Sequence, residues 1–160
     1  MFCPTPKPTP KEKKLKTRLK VRTRMKQGKS NPFPDLVKKR VFERQGGKCA
    51  YSGMQVDNFR DLEYHHIKFK GSGSSKWEHD ERNCVGLFPM YHVPMIHSGN
   101  EATYWRMVWE VWAVCNFKWL GGEEITKLSE WVEINEYRLK KSKINYADLF
   151  SEWIKRSVTG

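Results

Sequence analysis

Ten of the twelve excess positive charges of this 160-residue chain fall within its first thirty residues. Residues 1–30 hold eleven Lys and Arg and a single acid, Glu12; residues 31–160 hold nineteen Lys and Arg against seventeen acids. The basic stretch is poor in apolar side chains, and its prolines at 4, 6, 8 and 10 favour extended chain. It offers too little apolar surface to offset the entropy of folding, so a disordered basic tail is expected over residues 1–31. Any hydrophobic core must come from the residues after the breaker cluster Asn31 to Pro34.

Such a tail suits nucleic acid, through phosphate neutralisation and counterion release, or an anionic membrane surface. No large apolar anchor or lipidation motif accompanies it. No apolar run reaches the roughly 18 residues of a membrane span, and MFCPTPKPTP lacks the apolar segment of a secretory signal. The expectation is therefore a cytoplasmic nucleic-acid binder without a membrane partner, with Arg18, Arg22 and Arg24 among its phosphate contacts. A solubilising or localisation arm is the plainer reading. Cys3, Cys49, Cys84 and Cys115 lie far apart with no C-x-x-C, which argues against a disulfide scaffold and for a reducing compartment. Cys84 and Cys115 read as small buried hydrophobes.

Beyond the tail, Asp35 is placed to cap a helix running to Arg44, stopped by Gly46-Gly47. Lys48 to Ser52 reads as a short strand, Leu62 to Phe69 as a second β-like run, and Cys84 to Phe88 as a third. GSGSS at 71–75 is a loop. Pro94 suits the first turn of a helix reaching Gly99. Asn100 looks like the cap of a longer helix over Glu101 to Phe117, ended by Gly121-Gly122. Further helical patterns cover Glu123–Lys140 and Tyr146–Ile154. Six of the seven Trp lie beyond residue 104 at helical spacing, which reads as core.

All five histidines lie between residues 65 and 97, a clustering that signals a metal or catalytic site. His65 and His66 are adjacent on a β-like run, so they point to opposite faces; one can bind a metal while the other faces a substrate. His92 and His97 are five apart, about 140° on an α-helix, which is poor for one metal. They converge if His92 precedes the helix that Pro94 starts; alternatively His92 alone joins His65, and His97 faces nucleic acid. His79, in a polar stretch, reads as solvated.

The pieces VFERQGGKCAYSG, LEYHHIKFKGSG, DERNCVGLF and YHVPMIHSG, from Val41 to Gly99, resemble in order and spacing the HNH (His-Asn-His) endonucleases. The resemblance covers roughly 60 residues and implies an α+β fold, a ββα-metal hairpin and helix. The expected domains are the tail (1–31), this core (32–100) and a Trp-rich helical extension packed on it (101–160). By position, His65 and His92 stand at metal ligands and His97 at a further ligand or phosphate contact. His66 stands at the general base, and Asn83 at the central Asn that ties the loop to the hairpin. The family's structural zinc would need cysteines at 49, 52, 88 and 91; this chain has Cys49, Ser52, Phe88 and Tyr91, so no structural zinc is expected.

The resemblance implies a metal-dependent endonuclease acting on double-stranded or branched DNA, with one divalent ion (Mg²⁺, Mn²⁺, Ni²⁺ or Zn²⁺). A phage or prophage setting in a bacterial host follows from the family alone. Lys68, Lys70 and Lys76 are candidate phosphate contacts, though lysines there also suit plain surface charge. The aromatic helical region could read substrate shape or form a homodimer. The alternative is a non-catalytic nucleic-acid-binding protein of the same fold.

Overall fold

The structure, a computed structural model, describes residues 33–68 and 77–158. The expected phosphate contacts Arg18, Arg22, Arg24, Lys70 and Lys76 lie outside the described residues. The chain divides into two units after Asn31; the architecture below is that of the second.

Helix α1 spans Asp35–Arg44, as its apolar spacing predicts. Pro34, not Asp35, occupies the cap position. Asp35 instead sits in the first turn, where its charge complements the helix dipole and meets Lys38 at 3.2 Å. Gly46 and Gly47 both take positive φ and end the helix. A side chain at Gly47 would also have to displace the Gln55 amide and crowd the Phe42 ring. The strand expected over Lys48–Ser52 is instead a turn with one antiparallel bridge, Lys48 to Gln55.

Strands β1 (Glu63–His66) and β2 (Cys84–Leu87) pair antiparallel. Glu63 stands opposite Leu87, Tyr64 opposite Gly86, His65 opposite Val85 and His66 opposite Cys84. Every residue of β2 is buried, so the hairpin is covered on both faces. On one side Cys84 joins Phe33 and Val41 in a small cluster, with Val37 and Tyr64 packed against it. On the other, Val85 and Leu87 join the main core with Ile67, Ile96 and α3 residues such as Met107, Val108 and Val111. Each fully buried aliphatic side chain there contributes about 1.5–3 kcal/mol.

After β2 comes α2 (Pro89–Tyr91), with Pro89 at the first helical position, then a π-helical segment, His92–His97. Helix α3 spans Ala102–Phe117; Glu101 rather than Asn100 precedes it, and Lys118 in left-handed conformation ends it. Strands β3 (Trp119–Leu120) and β4 (Glu123–Glu124) then pair around Gly121 and Gly122, both at positive φ. From sequence alone the Gly pair is expected only to end the preceding helix. Because β4 takes up residues 123–124, α4 (Leu128–Ser142) begins later than expected; α5 spans Tyr146–Val158.

Trp105, Trp109 and Trp131 are buried, as their helical spacing suggests, and Trp119 is buried in β3. Leu139 of α4 and Leu149 of α5 belong to the same core cluster as Val85 and Leu87, so the C-terminal helices and the hairpin share one interior. Cys84 is fully buried; Cys115 is only half-buried. Cys49 is buried and accepts a hydrogen bond at Sγ from the Phe88 backbone N–H. The fold is mixed α and β. Among the described residues, no helix is long and apolar enough to cross a membrane.

Candidate metal centre

The alternation of β1 sorts its side chains. Tyr64 and His66 face α1, and the His66 ring stacks on Phe33 with centroids 3.8 Å apart. Glu63 and His65 face the other way, toward the π-helical segment. His65 is 2% exposed.

His92 and His97 reach this face because of how their segment winds. An α-helix would separate them by about 140°. Here the Ser98 N–H bonds back five residues, to the Val93 carbonyl, and Ser98 Oγ donates to the same oxygen. That wider π-turn brings residues five apart nearly into line. Pro94 contributes a physical cause: it has no N–H for the ordinary α ladder, and its ring crowds the carbonyl four residues back. Gly99 completes the turn, since a Cβ at that position would strike the Pro94 carbonyl oxygen. Nε2 of His97 consequently lies 3.0 Å from Nε2 of His92.

His65, His92 and His97 thus offer ring nitrogens that all lie within 4.8 Å of one another. Their rings meet edge to face, with centroids 5.3 Å apart for His65–His92, 5.5 Å for His65–His97 and 4.7 Å for His92–His97. Two nitrogens bound to one divalent transition metal at about 2.0–2.1 Å stand roughly 3.0–3.4 Å apart, depending on geometry. The His92–His97 pair already matches that separation.

The tautomer of His92 follows from its other nitrogen. Nδ1 lies 2.7 Å from Glu63 Oε2, a carboxylate that can only accept, so the Nδ1–H donates. In the neutral ring, Nε2 then carries the lone pair, on the side of His97. A carboxylate behind a ligating imidazole fixes the ring and raises its basicity. Burial first, then the charges of His92, His97, His66 and Arg106, hold His65 well below the ordinary histidine range. Burial, His92 and Arg106 also lower His97, against a smaller opposite pull from Glu63. Both are therefore neutral near pH 7, the form that coordinates metals.

Comparison with known protein families, curated proteins and solved structures finds no match.

The expected ligands His65, His92 and His97 come together; the geometric obstacle of their spacing is removed by the π-turn. Three imidazoles from two elements fit a borderline divalent cation, and three protein ligands leave positions for water or substrate. His66 lies on the opposite face of β1, half-buried against Phe33. Asn83 is fully buried, and its side chain serves the backbone. Oδ1 accepts from the Lys68 N–H at 2.7 Å, while Nδ2 donates to the carbonyls of Lys68 at 3.2 Å and Trp77 at 3.5 Å. It clamps both flanks of residues 69–76 and, by these bonds, is a positioning residue rather than a reacting one.

Lys68 extends toward Glu110, 3.7 Å from Nζ to Oε2. Glu110 is buried and also receives both terminal nitrogens of Arg138, at 2.8 and 3.1 Å. Lys68 is thereby committed in part to an internal carboxylate. His79, expected to be solvated, is half-buried, its ring edge-on to Phe33 at 6.2 Å. Two residues were missed by the sequence reading. Glu63 carried a signal, since it stands two before His65 and so shares its strand face. Arg106 carried none: its approach to the cluster depends on how α3 packs.

Proposed function

We propose that this chain is a metal-dependent DNA endonuclease of the HNH type, hydrolysing phosphodiester bonds. The observation that carries the reading is the convergence of His65, His92 and His97, with Glu63 behind His92 and a further histidine, His66, next along the same strand. The resemblance of residues 41–99 to HNH sequences and the basic first thirty residues support it.

A divalent cation held by these three imidazoles would supply Lewis-acid charge beside a phosphodiester, easing negative charge on the phosphate and the leaving 3′ oxygen. His66 is the general base that takes the proton from the attacking water, and the Phe33 stack sets its ring plane. Glu63 keeps His92 in the tautomer with Nε2 available. Asn83 holds the hairpin ends in register. The tail cations add affinity that does not depend on sequence.

The test is incubation of supercoiled plasmid with the protein in EDTA, Mg²⁺, Mn²⁺, Ni²⁺ or Zn²⁺, followed by gel analysis of nicked and linear forms. The expected result is metal-dependent conversion that is absent in EDTA and abolished by His66→Ala while plasmid binding persists. Binding without cleavage of plasmid, branched or single-stranded DNA under every metal contradicts the nuclease reading and leaves the non-catalytic binding protein.

A further inference from the structure

A cleft opens where the histidine segment runs into α3. Only Ser98 and Gly99 separate His97 from Asn100, and the Ala102 N–H bonds back to the Gly99 carbonyl at 3.1 Å as the helix begins. Asn100, Glu101, Thr103 and Tyr104 form one wall of the cleft. Ser142, the last residue of α4, and Ile144 form the other. Its volume is about 430 Å³, within the range of small-molecule sites, about 300–1,000 Å³. Three residues of chain span at most about 11 Å, which bounds the distance from His97 to Asn100. A DNA strand rises about 3.4 Å per nucleotide, so a strand with a phosphate at the histidine cluster has a base within about three nucleotides of the cleft.

The lining sorts what the cleft can hold. None of its six residues is Lys or Arg, and Glu101 contributes a carboxylate, which accepts from the Trp105 Nε1–H at 3.3 Å. A phosphate is repelled from such a surface. The Asn100 amide and the Thr103 and Ser142 hydroxyls both donate and accept, Tyr104 adds an aromatic ring and Ile144 an apolar contact. A neutral planar ring edged with N–H donors and lone pairs matches that set. Nucleobases have this chemistry, and aromatic side chains hold unpaired bases by stacking. A base inside a duplex must first leave its stack, whereas one already unpaired enters at little cost.

We propose that this cleft receives an unpaired nucleobase within about three nucleotides of the phosphate at the histidine cluster, so that bulged, branched or single-stranded DNA is preferred over continuous duplex. The inference rests on the endonuclease reading for the placement of the phosphate and gives that reading a substrate class. It also gives α3 and the end of α4, outside the segment that resembles HNH sequences, a part in recognition.

The experiment is fluorescence-anisotropy titration of the full chain with two labelled DNA duplexes that differ only by one bulged adenosine, in EDTA so that cleavage plays no part. The basic first thirty residues attract both duplexes through their phosphates, so the difference between them reads the cleft. Wild type is expected to bind the bulged duplex about fivefold or more tightly than the continuous one, the lower end of what one base stacked on an aromatic side chain supplies. Tyr104→Ala removes that preference and leaves affinity for the continuous duplex unchanged, while Tyr104→Phe retains it. Ser142→Trp, which fills the cleft from the opposite wall, removes it too.

Three outcomes overturn the proposal: equal affinity of wild type for the two duplexes, a preference that survives both Tyr104→Ala and Ser142→Trp, or both affinities falling together in those variants. The last marks a purely structural role. A protein that cuts plasmid yet shows no preference overturns this inference and leaves the endonuclease reading standing. One that shows the preference yet never cuts DNA contradicts the endonuclease reading and leaves a cleft for unpaired bases.

Discussion

His92 and His97 are five residues apart, yet their Nε2 atoms face each other at 3.0 Å. The π-turn between them converts a spacing that an α-helix would waste into a pair of converging ligands. Gly99 leaves no room for a side chain in that turn, since a Cβ there would strike the Pro94 carbonyl oxygen. Gly99→Ala should therefore open the turn, displace His97 and weaken divalent-metal binding by about tenfold or more. Backbone strain of this kind costs about 1–3 kcal/mol, so the unfolding midpoint should fall as well. Calorimetric metal titration and urea unfolding read the two effects separately. Unchanged metal affinity in the folded variant would show that the turn is not what aligns the pair.

Glu63 acts through His92. Glu63→Gln keeps the size of the side chain and can still accept from Nδ1–H, but loses the charge that strengthens the bond. Such partners of metal ligands typically carry about 10- to 100-fold in affinity. Metal binding should weaken within that range, with little change in stability, because the Glu63 carboxylate is 43% exposed. An unaltered metal isotherm would remove Glu63 from the centre.

Asn83 satisfies three backbone groups from a fully buried position. Asn83→Ala leaves the Lys68 N–H without its side-chain acceptor and should destabilise the protein by about 1–3 kcal/mol. Metal affinity of the folded fraction should be preserved, since none of the three bonds involves a histidine. A chemical-denaturation series with a metal titration below the transition checks both halves. Loss of metal binding without loss of stability would instead give Asn83 a direct role at the centre.

Asp80 sets an acid limit on the same region. Its carboxylate accepts from the Arg82 backbone N–H and from both Nε and Nη2 of Arg82, and these bonds hold its pKa below the ordinary value of 3.8. The unfolded chain binds this proton first as pH falls, so the contribution of Asp80 is fully present above that ordinary value. It is lost as pH drops through the lower folded value. Asp80→Asn should flatten the acid limb of the stability profile below about pH 4 relative to wild type while leaving its slope near neutrality unchanged. Parallel profiles across the acid range would mean that Asp80 is not differentially protonated on folding.

Several parts of this molecule are readable from residues close in sequence, and others are not. The two strands of the main hairpin, α1 and the buried tryptophans follow from local periodicity. The three ligands follow from clustering of histidines within a short stretch. Glu63 was within reach of the two-residue strand period, but a lone acid on a strand draws no notice until its partner, 29 residues away, is placed. The π-turn is hidden because helical spacing rules assume α-winding; only Pro94 hinted at a departure. His79 and His66 both meet Phe33, a residue far upstream, so their half-burial belongs to tertiary packing. The β3–β4 hairpin is two residues per strand, too short for a periodic signal, and its Gly pair looks the same as a helix stop.

The central claim is that His65, His92 and His97 form one divalent-cation centre. The most direct test is calorimetric titration of Ni²⁺ or Zn²⁺ into metal-free protein carrying Cys3→Ser, which removes the thiol of the basic N-terminal stretch as a competing ligand. The account predicts one bound ion per chain in this background. Affinity should drop by at least about 100-fold in a His92→Ala variant that retains its fold by circular dichroism. One-to-one binding that survives His92→Ala and His65→Ala unchanged, or no binding in the parent protein, would contradict it.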